Sequence, residues 1–213
     1  MTSSLVEEEI LTVMDEAARD VKRQTGVKFG LGLDIAAASL WNPRSKLYVY
    51  RRSNILRTRD EQIEFVENLV KRFNLLYVED PLHDKDFQGF TELTMKCDKT
   101  LICGDDLYVT SISRLMLGTS EKAGNAVIIK PNQVGDITGS ARAVELARNN
   151  GFKIIVSHRS GETPTDHLAH IAVAFEADMI KTGVIGGERV VKHNELIRLE
   201  SEGKGLTLAE MKI

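Results

Sequence analysis

Six short apolar runs, each ending in one ionisable residue, constrain this chain more than any other feature of its sequence. The ionisable residues are three acids, two lysines and one histidine: Asp34, Glu79, Asp105, Lys130, His158 and Lys181. From Glu79 onwards they recur about every 25 residues, which is the length of a strand, a helix and their connections. In a parallel barrel the loops that follow the strands meet at one face. We therefore expect the six side chains to face one site.

The chain has 213 residues, 42% of them hydrophobic and 28% charged. This composition is typical of one globular domain, which we expect to cover residues 1–213. Strands that alternate with helices predict the α/β class with a parallel sheet. A complete eight-stranded barrel takes about 250 residues, so the sequence predicts an incomplete barrel of about six parallel βα units after an initial helix.

Hydrophobic periodicity and capping residues place the individual elements. The first helix covers 5–21, is capped by Ser4 with Glu7, and is stopped by Gly26. Thr58 and Glu61 cap a second helix after a polar segment at 41–54. Further helices are expected near 86–96, 111–117, 138–149, 165–175 and 188–201. The strands are expected at 29–33, 75–78, 101–104, 127–129, 154–157 and 179–180.

Several classes of function are disfavoured by charge and composition. The net charge is −3, and no cluster of Lys and Arg alternates with aromatic residues, so we expect no nucleic-acid partner. No apolar run approaches the roughly 20 residues of a membrane span, and acids stand where a signal peptide carries bases. We expect no membrane partner and a cytoplasmic location. Cys97 and Cys103 lack the spacing of a zinc or redox site and are expected to be reduced.

Three of the strand-end residues are hard oxygen donors. Asp34, Glu79 and Asp105 would suit Mg²⁺, which takes a few carboxylates and keeps waters that substrate oxygens displace. The alternative is that each acid caps the helix that follows it. Three acids in register, with two lysines and a histidine opposite, favour the metal site.

The basic strand-end residues suggest proton transfer and anion binding. Desolvation, a second ammonium or a metal cation would let Lys130 or Lys181 act as a general base, although ion pairs with the acids are the alternative. Arg159 and Ser160 follow His158 in a turn, and they suit a phosphate or carboxylate. The remaining histidines are interpreted as surface or packing residues, and the His167 and His170 pair is weak evidence for a metal: His83, His167, His170 and His193.

These residues lie in stretches that together resemble the C-terminal barrel domain of the enolase family, the phosphopyruvate hydratases. The stretches are GLDIAAAS (32–39), YVEDPLHDKDF (77–87), CGDDLYVT (103–110), IIKPNQVG (128–135), VSHRSGET (156–163), IKTG (180–183) and ERVVKHNELIRLE (188–200). The resemblance implies Mg²⁺-dependent, reversible dehydration of 2-phosphoglycerate to phosphoenolpyruvate, a step of glycolysis and gluconeogenesis.

The resemblance also implies a role for each strand-end residue. Asp34, Glu79 and Asp105 would bind Mg²⁺, and Lys130 would remove the proton next to the substrate carboxylate. Lys181 would hold that carboxylate and count with Lys130 and His158 as catalytic. Arg159 and Ser160 would bind the phosphate, and His158 would line the site.

The sequence departs from the family in what it lacks. No residue matches the family's general acid, and the N-terminal domain and the first two barrel strands have no counterpart. Two alternatives to an enolase that acts alone therefore stay open: a non-catalytic binding or assembly subunit, or one chain of a split enolase. We expect a homo-oligomer or a complementing N-terminal fragment as partner, and little or no dehydratase activity from the chain alone.

Overall fold

The chain divides into two compact units. The first comprises the residues up to Leu107 together with Glu121–Gly124, and the second comprises Tyr108–Ser120 and the residues from Asn125 onwards. Both are described by a computed structural model that covers residues 6–203 and 205–209. The prediction of a single domain over 1–213 stays a prediction.

The first unit contains three parallel strands, a small antiparallel sheet and three longer helices. Its elements are α1 (Glu7–Thr25), β1 (Gly32–Asp34), a 3-10 turn (Ala37–Ser39), β2 (Trp41–Asn42), β3 (Leu47–Tyr50), β4 (Ile55–Arg57), α2 (Arg59–Phe73), β5 (Tyr77–Glu79), α3 (Phe87–Lys96) and β6 (Leu101–Gly104). β5 lies between β1 and β6, and Val78 stands opposite Leu33 and Ile102. Val78 and Ile102 are fully buried, as is usual for parallel strands covered on both faces.

The second unit repeats this pattern. Its elements are α4 (Ile112–Glu121), β7 (Ala126–Ile129), α5 (Pro131–Val134), α6 (Ile137–Asn149), β8 (Lys153–Ser157), α7 (His167–Ala174), β9 (Met179–Lys181) and α8 (Gly187–Glu202). β8 pairs in parallel with both β7 and β9, so that Ile154 faces Val127 and Val156 faces Ile180. The six predicted βα strands and the α/β class are therefore confirmed.

Local sequence signals set most of the element boundaries. Thr58 caps α2 as predicted, because the Glu61 N–H donates to its hydroxyl while the Glu61 carboxylate accepts from the Thr58 N–H at 2.7 Å. Gly26 ends α1 with φ of 77°, a conformation that favours glycine. β1 begins later than expected, and Phe29 lies before it with 57% of its side chain exposed.

The polar segment at 41–54 has more structure than its sequence indicates. It supplies β2, β3 and the start of a hairpin with β4, which form a small antiparallel sheet. Tyr48 and Tyr50 point inward from β3 and are buried. The Tyr50 hydroxyl donates to the Gln62 side chain at 2.9 Å, and that side chain in turn donates to the Pro81 carbonyl at 3.0 Å. These bonds attach the small sheet to α2 and to the loop after β5.

The first helix differs from its prediction in two respects. Ser4, its predicted cap, lies outside the described residues, and Val6 is the N-cap, whose N–H donates to Glu9 at 3.0 Å. Among the described residues of α1 only Leu11 is fully buried, whereas Val13 and Met14 are 55% and 42% exposed. Of the apolar stripe predicted from helical spacing, Val13, Met14, Ala17 and Val21 are therefore exposed and Val6 and Ile10 are half-buried, while Leu5 lies outside the described residues.

No described helix is long and apolar enough to cross a membrane. Cys97 and Cys103 are both buried and free of disulfides, as expected.

Candidate functional site

Three carboxylates come together at the strand ends of the first unit. Glu79 is the last residue of β5, Asp80 follows it, and Asp105 follows β6. Each of the three offers one carboxylate oxygen that lies within 4.8 Å of those of the other two. Glu79 is 1% exposed and Asp80 is 3% exposed. Sequence reasoning predicted that Glu79 and Asp105 would meet but did not single out Asp80, which the sequence signals only by following Glu79.

Asp80 holds the β5 and β6 ends together. Its carboxylate accepts the N–H groups of Asp105 at 3.0 Å and Asp106 at 2.9 Å, and its own N–H donates to the Cys103 carbonyl. Burial raises the pKa of Asp80 to about 8, because desolvation outweighs these two donors. The backbone at Asp80 has φ of 41°, a left-handed conformation that few non-glycine residues adopt.

Glu79 is oriented by a neighbouring phenol. The Tyr77 hydroxyl donates to the Glu79 carboxylate at 2.6 Å, a short charge-assisted bond. Burial, together with the Cys103 and Glu79 side chains, raises the pKa of Tyr77, so the phenol keeps its proton. Burial likewise raises the pKa of Cys103 well above its ordinary value, so that thiol stays protonated beside the acids.

Asp34 ends β1 directly opposite Glu79 in the parallel register, but its side chain is exposed. It does not belong to the group of three carboxylates that the described residues bring within 4.8 Å. The structure therefore gathers two of the three predicted metal ligands, with Asp80 beside them and Asp34 at the same strand end.

The carboxylate group fits a hard divalent cation. All its donors are oxygens, the ligands that Mg²⁺ prefers. Buried carboxylates this close repel one another unless a proton or a cation compensates their charge. Burial is the main cause of the raised pKa of Asp80, and the nearby Asp106 and Asp105 carboxylates add to it.

In the second unit a buried hydroxyl, that of Thr110, binds the backbone N–H of Lys130. Lys130 follows β7, and its N–H donates to the Thr110 hydroxyl at 3.0 Å. The same hydroxyl donates to the Gln133 side chain at 2.8 Å, and Thr110 is fully buried. Val109 and Thr110 have φ of 43° and 53°, which is costly for β-branched residues. Val109 and Thr110 carry no sequence signal for this role, and sequence reasoning did not predict it.

Two buried polar groups at the ends of β8 and β9 lack hydrogen-bond partners among the described residues. The His158 N–H donates to the Lys181 carbonyl at 3.1 Å, which keeps the two strand ends adjacent. The buried Nδ1 of His158 and the buried hydroxyl of Thr182 have no hydrogen-bond partner among the described residues. Burial and the nearby Arg189 guanidinium lower the pKa of His158, so its ring stays neutral. Buried polar groups of this kind usually bind a polar ligand or an ordered water molecule.

The loop after His158 is organised by two residues that the sequence reasoning missed. Glu162 accepts the N–H groups of Arg159 at 3.4 Å and Thr163 at 2.9 Å. Lys192 of α8 is 1% exposed; its ammonium donates to the Thr163 carbonyl at 2.7 Å and lies 3.5 Å from Glu162. Partial burial opposes ionisation of Glu162, but the Thr163 N–H and Lys192 hold its pKa below the usual value.

This loop presents Arg159 and Ser160 to solvent. The bonds around Glu162 fix its backbone, so the guanidinium and hydroxyl are available for an anion. The expectation that all six strand-end residues share one site stays a prediction.

The other histidines contact protein groups. The His83 ring stacks on Trp41 with centroids 4.5 Å apart, and His193 lies 3.0 Å from the Gly183 carbonyl oxygen. His170 lies 2.8 Å from Glu195, and His167 is exposed.

Comparison with known proteins identifies relatives of this chain. Residues 4–208 match the family model described as "Enolase, C-terminal TIM barrel domain". The chain is 48% identical over 198 residues to an enolase of Archaeoglobus fulgidus, an alignment that covers 93% of this chain and 48% of that protein. It is 44% identical over 209 residues to an enolase of Methanosphaera stadtmanae, covering 98% of this chain and 50% of that protein.

An enolase of Pyrobaculum aerophilum gives the same result, with 47% identity over 204 residues, 95% of this chain and 48% of that protein. The chain thus spans about half the length of the relatives it matches.

Proposed function

We propose, on the premise that this chain belongs to the enolase family, that it takes part in the reversible dehydration of 2-phosphoglycerate to phosphoenolpyruvate. The observation that supports this most is the buried carboxylate group of Glu79, Asp80 and Asp105 at the ends of parallel strands, within a chain that matches the family's barrel domain. The reaction is a glycolytic lyase step, and we propose the cytoplasm as its compartment.

The first unit would hold the metal ion in this proposal. Asp34, Glu79 and Asp105 are its proposed ligands, and Asp80 orients Asp105 through the backbone N–H. Bound Mg²⁺ would supply positive charge where negative charge develops on the substrate carboxylate. The Tyr77 hydroxyl restricts the Glu79 carboxylate to one orientation, which prepares it for binding a cation.

The second unit would provide the proton transfer and the anion contacts. Lys130, in its neutral form, would take the proton from the carbon next to the substrate carboxylate. Lys181 would bind the carboxylate, while Arg159 and Ser160 would bind the phosphate. The neutral His158 ring would line the site as a hydrogen-bonding group. Loss of the 3-hydroxyl as water requires a proton that none of these residues is assigned to give.

The roles can be separated by following two different events. In deuterated water, exchange of the α-proton of 2-phosphoglycerate reports the base alone, and NMR measures it without product formation. We expect Lys130→Ala to abolish the exchange and leave phosphate-ligand binding measurable. Arg159→Ala should instead weaken binding and preserve exchange at saturating substrate. The assigned roles would be wrong if Lys130→Ala weakened ligand binding and Arg159→Ala abolished proton exchange.

A second candidate function is that of one component in a larger assembly, either a split enolase or a binding subunit. The exposed apolar side chains of α1 favour this second function. Val13, Met14 and Val21 lie on a surface that is exposed to solvent in the described part of the chain. β1 also pairs on one side only within the first unit. We propose that a second copy or a complementing enolase fragment packs on this surface, and that the general acid comes from the complementing fragment, since this sequence has no residue that matches it.

A further inference from the structure

A cluster of three potential metal ligands lies on helices of the second unit. Asp166 precedes α7, His170 lies on α7, and Glu195 lies on α8, which packs against α7. One carboxylate oxygen from each acid and one ring nitrogen of His170 all lie within 4.8 Å of one another. None of the three is assigned to the proposed reaction.

Asp166 and His170 reach the cluster because residues four apart lie on the same face of a helix. Asp166 is the N-cap of α7 but makes no capping bond with its side chain. By contrast, Asp86 and Asp136 cap α3 and α6 through bonds to Gly89 and Gly139. The Asp166 carboxylate is therefore directed to His170 and Glu195 and away from the amides that an N-cap aspartate usually binds.

Glu195 supplies an ionised carboxylate to the same place. Its side chain is 9% exposed, and the Arg198 guanidinium binds it through two nitrogens. Arg198, with a smaller effect from His170, lowers the pKa of Glu195. A carboxylate has about four lone-pair sites, so the Arg198 bonds leave acceptor positions open toward His170.

His170 provides both the nitrogen donor and the access route. Its Nε2 lies 2.8 Å from Glu195 Oε1, an ion-pair distance, whereas two tetrahedral ligands of one Zn²⁺ lie about 3.3 Å apart, so a small rotation of the exposed imidazole would make room for the ion. The side chain is 47% exposed, so a solvated ion can reach it directly.

We propose that Asp166, His170 and Glu195 bind a divalent transition-metal ion, with Zn²⁺ as the best-suited ion, and that this ion joins α7 to α8. One imidazole with two carboxylates suits Zn²⁺, with water in a fourth position, whereas Mg²⁺ and Ca²⁺ select oxygen-only sites. The role is structural. Because Lys192 of α8 holds the Thr163 carbonyl, the ion also stabilises the loop that presents Arg159.

The test is calorimetric titration of the untagged, chelator-treated chain with Zn²⁺ in the presence of saturating Mg²⁺. His170→Gln should remove one binding event or weaken it at least about tenfold, because Gln keeps the volume but loses the ring nitrogen. His167→Gln is the matched control, since His167 lies exposed on the same helix, and it should bind Zn²⁺ as the parent does.

Two further readouts make the result independent of folding defects and of enolase activity. Zn²⁺ should raise the unfolding temperature of the parent and of His167→Gln but not of His170→Gln or Asp166→Asn. Co²⁺ should give the visible absorption of a four-coordinate site in the parent and in His167→Gln. It should not give that absorption in His170→Gln. Equal Zn²⁺ affinity in His170→Gln and the parent, or no Zn²⁺ binding by a folded parent, would refute the site and leave only the His170–Glu195 ion pair.

Discussion

The side chain of Asp80 joins two strand ends that the chain separates by 25 residues. It accepts the N–H groups of Asp105 and Asp106, so the position of Asp105 depends on a neighbour of Glu79. Sequence periodicity predicted that Glu79 and Asp105 would end adjacent strands, because each follows an apolar run. It could not predict the role of Asp80, because hydrogen bonds between a side chain and a distant backbone leave no periodic signal.

Glu79→Gln should weaken Mg²⁺ binding by about tenfold or more, since the substitution removes a charged oxygen ligand and keeps its volume. Calorimetric titration of the purified chain with Mg²⁺ measures the effect. Asp98→Asn removes an exposed acid elsewhere in the first unit and should bind Mg²⁺ as the parent does. Unchanged affinity in Glu79→Gln would exclude Glu79 as a ligand.

Thr110→Val should lower the free energy of unfolding by about 1–3 kcal/mol, because it removes the buried hydroxyl that the half-buried Lys130 N–H and the Gln133 side chain share. Thr110→Ser keeps the hydroxyl and should restore most of that loss. Urea unfolding gives the free energies, and hydrogen exchange of the Lys130 amide should be faster in Thr110→Val alone. Equal stability of the Val and Ser variants would show that the hydroxyl contributes nothing.

At the scale of elements, the parallel strands of the βα repeat and their helices were predictable and the small antiparallel sheet was not. Runs such as 101–104 and 127–129 are wholly apolar and coincide with β6 and β7. β2 has two residues and β4 three, too few for alternation to be read against the surrounding Arg, Asn and Ser residues. Their position depends on Tyr50 and Gln62, which belong to different elements.

The two apolar faces of α1 allow a direct comparison of buried and exposed residues. Leu11→Ala should cost about 2–5 kcal/mol in free energy of unfolding, because it leaves a cavity where Leu11 is fully buried. Val13→Ala should change it by less than about 0.5 kcal/mol, since that side chain is half exposed. Urea titrations at two protein concentrations measure both. A large, concentration-dependent loss in Val13→Ala would mean that another chain already covers the stripe.

At the scale of the whole molecule, the sequence predicted the α/β class and six βα strands because their repeat length is regular. The grouping of carboxylates was predicted in part, since Asp34 and Glu79 end neighbouring strands in register but only Glu79 lies in the carboxylate group. The anchoring of the 158–163 loop by Lys192 depends on a helix residue that lies 29 positions after Thr163, a contact that one sequence does not reveal.

We propose that this chain supplies the proton-abstracting and metal-binding part of an enolase reaction. The most direct measurement follows phosphoenolpyruvate formation from 2-phosphoglycerate with Mg²⁺, using the chain alone and the chain mixed with the part of the Archaeoglobus fulgidus enolase that it does not match. We predict little or no product from either component alone, product from the mixture, and no product when the mixture contains Lys130→Ala. Product formation by the mixture that is unaffected by Lys130→Ala would contradict the claim, as would a folded, associated mixture that forms none.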